Sequence, residues 1–384
     1  MDANKRESKS AAEVAKPIGV HSRALAVNKE EKQMLWWGRS DPAYSRNGVV
    51  RQHLAALGWA IRDFRPTFCA AGDLEAALRR LPEPDAVWVP CFRQRDMAAA
   101  RRWCDRHGVP LIFDPLISAY DKQVWERFKR QDGSRAAQKL LAWERGLFAK
   151  ADRVIADTPC HARFFSETLG VPQERVRVVY VGADESLFRP AADRVPGTPV
   201  DVLFFGSFIP LHGARTIIEA ARIYQGPPVR WSLLGDGPAK PDCQKAAEGL
   251  ANVFFEDRIP YAQLPARIHR ADILLGVFGT TQKAGRVIAN KVFQALASGR
   301  PVITRVSDAY PAGADKSGPL AFVPPGDPQA LASAVGKWVT HSEALAERGH
   351  AASALYNHAF STTVIRRQLS DSLAFIRTKN SSRE

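Results

Sequence analysis

Residues 276–305 read GVFGTTQKAGRVIANKVFQALASGRPVITR, which parses as a buried strand end, a basic glycine-containing loop, a short helix and a second buried strand. Lys283, Gly285 and Arg286 stand just before a helix expected to begin at Asn290. Backbone N–H groups, the positive end of a helix dipole and two cations are therefore expected to converge on one anion. Asn290 reads as the N-cap and Gly299 as the left-handed residue closing the helix. Pro301 bars further helix before the apolar run that follows.

Upstream of this segment, short apolar runs alternate with amphipathic helical patterns. Strands are predicted at 202–205, 231–234, 253–255 and 273–277, and helices at 214–223 and 261–268, with a further helix downstream at 330–339. The first half repeats the alternation, with strands predicted at 34–37, 86–90, 110–113, 154–156 and 176–181. Helices fall between them at 47–57, 74–81, 97–107, 134–148 and 161–169. Such alternation implies α/β domains, each a parallel sheet covered on both faces. The pattern breaks between Phe188 and Val200, where Pro190, Pro196, Gly197 and Pro199 cluster. The predicted organisation is a mobile polar tail (1–32), a first domain (33–190), a hinge (191–200), a second domain (201–355), and a C-terminal helix and tail (356–384). That last helix, near 362–377, has no strand after it and is expected to cross back to the first domain. Two such domains leave a cleft between the carboxyl ends of their sheets, where ligands bind.

The chain has 384 residues, 45% of them hydrophobic, enough for more than one core. Its 54 Lys plus Arg against 40 Asp plus Glu leave a net charge of +14, which favours anionic partners. Nucleic acid is not among those expected, because zinc-finger spacing, RNP-like aromatics and a continuous basic helix are all missing. The cysteines Cys69, Cys91, Cys104, Cys160 and Cys243 form no CxxC pair, so neither a disulfide framework nor a metal site is expected. No cofactor is implied, and the absence of G-x-G-x-x-G argues against a nicotinamide enzyme. No apolar run approaches the roughly 20 residues that span a bilayer, so a cytoplasmic protein is expected. Between Asp121 and Lys150, eight Lys and Arg accompany Trp125, Phe128 and Trp143. This stretch is either a surface that rests on an anionic membrane, placing the protein peripherally at its inner face, or a solvated basic hairpin with its aromatics in the core.

Five segments in the second half, VLFFGSFIPLHGARTIIEAA, SLLGDGP, RIPYAQLPARIHRADILL, the segment quoted first and FVPPGDPQALASAV, stand in the order seen in family 4 glycosyltransferases. The first half adds WWGRSDPAYSRNGVVRQHLAALG, ADRVIADTPCHARFF and VVYVGADESLFRP, and the resemblance runs from about Gln33 to Val339. It implies two facing Rossmann-like domains in the GT-B arrangement and transfer of a sugar from a nucleotide diphosphate donor to a glycan or lipid-linked acceptor. Most such enzymes are retaining and metal-independent, and bacterial polysaccharide or glycolipid synthesis is the implied setting. A nucleotide-sugar epimerase on the same fold, or a non-catalytic relative that binds a sugar nucleotide or a partner, are the alternatives.

The resemblance also assigns residues, with departures. Where the family carries two glutamates eight positions apart, this chain has Arg286 and Gln294. Where it carries lysine and glycine after the first strand of the second domain, this chain has His212 and Gly213. Lys283 and Arg286 are accordingly expected to supply the cations that His212 lacks at neutral pH. The donor site is read as Gly206, His212, Gly213, Lys283, Gly285, Arg286, Asn290, Lys291 and Gln294. In the first domain, Gly38, Arg46 and Asn47 mark a cleft loop, with Ser45 a candidate helix cap. Asp114 and Asp121 are candidates for binding acceptor hydroxyls or stabilising a cationic transition state, although Asp114 before Pro115 also reads as a turn residue. Arg286 is the third catalytic candidate.

Overall fold

Two six-stranded sheets, every strand parallel to its neighbours, account for the alternation. The computed structural model describes residues 31–380, apart from 43, 192–194 and 317. The predicted tail thus lies outside the described residues except for its last two. In the first sheet β1 is Lys32–Trp37, β2 Trp59–Phe64, β3 Ala86–Val89, β4 Leu111–Phe113, β5 Arg153–Ala156 and β6 Val176–Val178, ordered β2-β1-β3-β4-β5-β6. In the second, β7 is Val200–Phe205, β8 Val229–Leu234, β9 Val253–Glu256, β10 Ile273–Leu275, β11 Val302–Arg305 and β12 Leu320–Val323, ordered β12-β11-β10-β7-β8-β9. The order reverses between β1 and β3 in one sheet and between β7 and β10 in the other. The crevice at each reversal, outside the carboxyl ends of the strands, is where an α/β sheet receives ligands.

Period-two side chains sort the strands into layers. Met34 and Trp36 enter one core while Leu35 and Trp37 enter another, so β1 is buried on both faces. Likewise Leu203 and Phe205 face the first of those cores, and Val202 and Phe204 face a third. The core that holds Trp36 and Phe205 also takes Tyr356, Phe360 and Leu369, and it joins the two sheets within one compact unit that begins at Lys32. Tyr180, Phe293 and Phe360 meet at its centre with ring separations of 5.0 to 6.5 Å, two of the three contacts edge-on.

The helix Thr362–Asn380 packs on the helix Ser45–Ala56 and on β6, so it does return to the first sheet. Two strands escaped the pattern, β2 and β12, as did the helices Lys240–Ala246 and Leu345–Ala359. Two capping assignments are corrected. Tyr44, not Ser45, precedes the helix Ser45–Ala56. Asn290 is the first residue of the helix Asn290–Ala297, whose N-cap Ala289 supplies no side-chain bond. Gly299 does adopt the left-handed conformation, with φ 66°.

Candidate active site

The second sheet's reversal point lies between the loops that follow β7 and β10. Gly206 ends β7 with φ 137°, a conformation open to glycine, and a Cβ there would stand 3.2 Å from the Lys291 amino group. Gly213, at φ 64°, presses so closely on the second loop that a Cβ would come within 2.6 Å of the Gly279 nitrogen. These two glycines let the loops close around Lys291, which occupies the second position of the helix Asn290–Ala297.

The Lys291 side chain is buried, and its Nζ finds no hydrogen-bond partner among the described residues. Its contact is the face of Phe204, 3.8 Å from the ring centroid. Burial pushes its pKa well below the ordinary lysine value. An unpartnered amine in such a place costs stability, on the order of 1–3 kcal/mol or more for a charged group. His212 lies beside it, with its Nδ1 against the Ser207 carbonyl. Burial first, and the neighbouring Lys291 second, hold His212 well below the ordinary imidazole value. His212 is thus neutral at pH 7, donating from Nδ1.

Lys283 and Arg286 are placed differently from expectation. Lys283 is buried in an ion pair with Glu126, and Arg286 Nη1 donates to Asp121 Oδ1 at 2.6 Å. Both carboxylates come from the first half of the chain, on a single π-helical turn, Asp121–Glu126. The Thr158 hydroxyl also donates to the Arg286 carbonyl at 2.6 Å, and the Arg286 guanidinium lies 4.6 Å from the Phe164 ring centroid. The two cations therefore pair with carboxylates of the first half and brace the sheets against each other, where the sequence led to the expectation that they face a donor diphosphate.

Behind Arg286 the charges continue. Asp121 Oδ2 faces His161 Nε2 at 3.8 Å, and His161 Nδ1 meets Asp157. Burial disfavours the imidazolium, but Asp157 and Asp121 outweigh it and raise the pKa of His161 to about 9. The result is a buried chain of alternating charge, Asp157, His161, Asp121 and Arg286. His161 is not among the residues that the sequence singles out. The available signal was Asp157 four residues before it, at helical spacing.

The first-domain candidates are also structural. Arg46 is fully buried, grips Asp114 through two bonds of 2.9 and 3.2 Å, and donates to the carbonyls of Val179 and Tyr180. With both oxygens on Arg46 and 1% exposure, Asp114 has no face toward a substrate, and Asp121 is occupied by Arg286. Asn47 bonds the Asp41 carbonyl and accepts from the Cys91 thiol. Gly38, at φ 132°, abuts the Arg93 side chain. Of the remaining donor-site candidates, Gln294 bonds the hydroxyl of Tyr261 at 3.2 Å, a partner that no motif indicated, and Gly285 lies beside Arg305.

Comparison with known proteins agrees with this architecture. Residues 18–182 match the family described as a glycosyl transferase 4-like domain, and residues 199–341 match glycosyl transferases group 1. A D-inositol 3-phosphate glycosyltransferase of Thermobispora bispora is 33% identical over 44% of this chain and 44% of its own length. WcaL of Escherichia coli K12, named for colanic acid biosynthesis, is 28% identical over 70% of this chain and 62% of its own. The chain thus spans about half the length of the curated relatives it matches. Among solved structures, HepE of Anabaena in complex with UDP covers 89% of this chain and 99% of its own, with 16% identity and a TM-score of 0.66. Sucrose-phosphate synthase of Thermosynechococcus elongatus covers 90% and 100%, with 19% identity and a TM-score of 0.71. Each half of the chain thus carries a glycosyltransferase-type domain, and the fold is the GT-B fold of those solved structures.

Proposed function

We propose that the protein transfers a sugar from a nucleotide diphosphate donor to a glycan or lipid-linked acceptor, with retention of the anomeric configuration and without a metal. The observation that carries this reading is the buried Lys291 amine without a partner, at the reversal point of the second sheet. Breaking a glycosyl–diphosphate bond leaves negative charge on the leaving group, so a catalyst must hold positive potential there in advance. The uncapped first turn of its helix supplies it, and an arriving diphosphate would favour the charged form of Lys291. Gly206 and Gly213 allow close approach of the backbone, and Gln294 stands one turn further along the helix to bond hydroxyls of the nucleoside. HepE, of the same fold, is a UDP complex, which supports a uridine nucleotide as the first donor to try. Bacterial polysaccharide or glycolipid synthesis is the setting that suits the relatives, in particular WcaL.

The test is calorimetric titration with UDP, followed by a UDP-release assay against a panel of UDP sugars. Wild-type protein is expected to bind UDP, and Lys291→Met to lose about 100-fold in affinity, the equivalent of about 2.7 kcal/mol for a charged hydrogen-bonding group. Equal binding by both proteins would remove the donor site from this place. One observation favours a second reading, a binder that does not catalyse: Arg286, where the family has glutamate, is committed to Asp121. UDP binding without UDP release from any donor and acceptor pair would select it.

A further inference from the structure

The first sheet has its own reversal point, between the loops after β1 and β3, and the donor reading leaves it without an occupant. Beside it, where Arg93 abuts Gly38, a groove of about 1010 Å³ opens among the loops after β2 and β3, the π-helical turn and the helix Arg135–Phe148, large enough for a drug-sized ligand or larger. Phe68, Phe92, Leu140, Trp143 and Leu147 give it apolar walls. Phe68 is 71% exposed, Phe92 43% and Trp143 41%, which is unusual for large aromatics outside a binding surface. Phe92 takes a left-handed φ of 64°, strained for so bulky a residue, and thereby presents its ring at the groove.

The charge around these walls has one sign. Three arginines line the groove and no Asp or Glu does. Arg93 is held by Asp96, and Arg130 by Gln123 and the Ala136 carbonyl, but Arg95 is exposed and makes no ion pair among the described residues. Lys122 reaches over Phe92, 5.9 Å from its centroid. Nearby carboxylates are engaged inside the protein, Glu126 by Lys283, and Glu144 by Ser118 and two backbone amides. Gln123, which lines the groove, lies on the same π-helical turn as Asp121 and Glu126, which touch the second half. One side of that turn is groove and the other is cleft.

We propose that this groove holds a lipid-linked acceptor, an apolar chain carrying a phosphate or diphosphate head. The chain lies along Phe68, Trp143 and Leu140, and the head meets Arg95 and Lys122 beside Phe92, next to the cleft. A concave apolar wall accepts a chain, whereas a flat bilayer needs no concavity, and the aliphatic Leu140 and Leu147 beside the aromatics suit a hydrocarbon. The proposal rests on the sugar-transfer reading and narrows its acceptor.

The experiment uses the full chain and four probes: farnesyl phosphate, farnesol, inorganic phosphate and UDP. Farnesyl phosphate is expected to raise the melting temperature with concentration, and phosphate alone is expected not to. Phe68→Ser with Trp143→Ser, and separately Arg95→Glu, each weaken farnesyl phosphate about tenfold while UDP binding is unchanged. Equal farnesyl phosphate affinity in wild type and variants overturns the proposal, as does an equal shift with inorganic phosphate. Vesicles of phosphatidylglycerol binding wild type and variants alike, with farnesyl phosphate inert, would overturn it in favour of a bilayer contact. Loss of UDP binding by wild type would instead sink the donor reading, and the farnesyl phosphate arms stay readable in that event.

Discussion

The turn Lys283–Gly285 and the start of the helix Asn290–Ala297 lie a few residues apart in one segment, and each carries a buried lysine. Lys283 meets Glu126 and its neighbour Arg286 meets Asp121, whereas Lys291 meets only the face of Phe204. The same residue type thus performs opposite tasks within one loop and helix. The neutralised cations hold two sheets together, and Lys291, without a hydrogen-bond partner among the described residues, costs stability. What separates them is the reach of the π-helical turn Asp121–Glu126, which extends to one end of the segment and not to the other.

The strongest way to break this contrast is Arg286→Glu, which restores the residue type usual in the family but sets it against Asp121. Removing one partner of a buried pair costs about 3–5 kcal/mol, and urea unfolding should show a loss of that size. Asp121→Arg in the same chain is expected to recover part of it, and no recovery would mean that the two side chains do not meet.

A pH series sharpens the same end. The folded-state pKa of His161 lies above its ordinary 6.5, at about 9. The stabilisation this confers is complete below pH 6.5 and is lost as pH rises through about 9, a change of up to about 3 kcal/mol. Stability measured from pH 6 to pH 10 should fall across that window, and His161→Gln should flatten the fall. A slope identical in the variant would assign the titration to another group.

The other end predicts the opposite sign. Lys291→Met replaces an unpartnered amine with an apolar chain of similar length, so it should raise stability by about 1–3 kcal/mol even as UDP binding is lost. Arg286→Ala should do the reverse, lowering the urea midpoint while UDP affinity stays within about threefold. Equal losses of UDP affinity in both variants would return Arg286 to the donor site. The smallest effect is expected from Gln294→Glu. Both side chains can bond Tyr261 and a ribose hydroxyl, so UDP affinity should change by no more than about threefold.

Most of the fold was legible because buried parallel strands are continuous apolar runs. The two strands that were not legible, β2 and β12, are edge strands. In β2 the run WAIRDF carries an exposed Arg62 and Asp63, and in β12 the middle residues of LAFV are only half-buried. An edge exposes one side to water and loses the apolar signature that identifies a central strand. The family resemblance was legible too, through the order of its segments. The pairing of the candidate residues was not legible. Whether a cation is free depends on carboxylates 157 and 165 positions away in the chain, and local spacing carries no trace of them. Arg46 and Asp114, 68 positions apart, were both read as facing a ligand when they face each other.

The helix Asn290–Ala297 has two turns, and its residues from Lys291 to Ala297 are all buried. Lys291 packs over Phe204, Phe293 is wedged between Tyr180 and Phe360, and Gln294 holds Tyr261. A rod with no free face offers no position at which a substitution is cheap, since each would disturb binding, the seam between the sheets, or both.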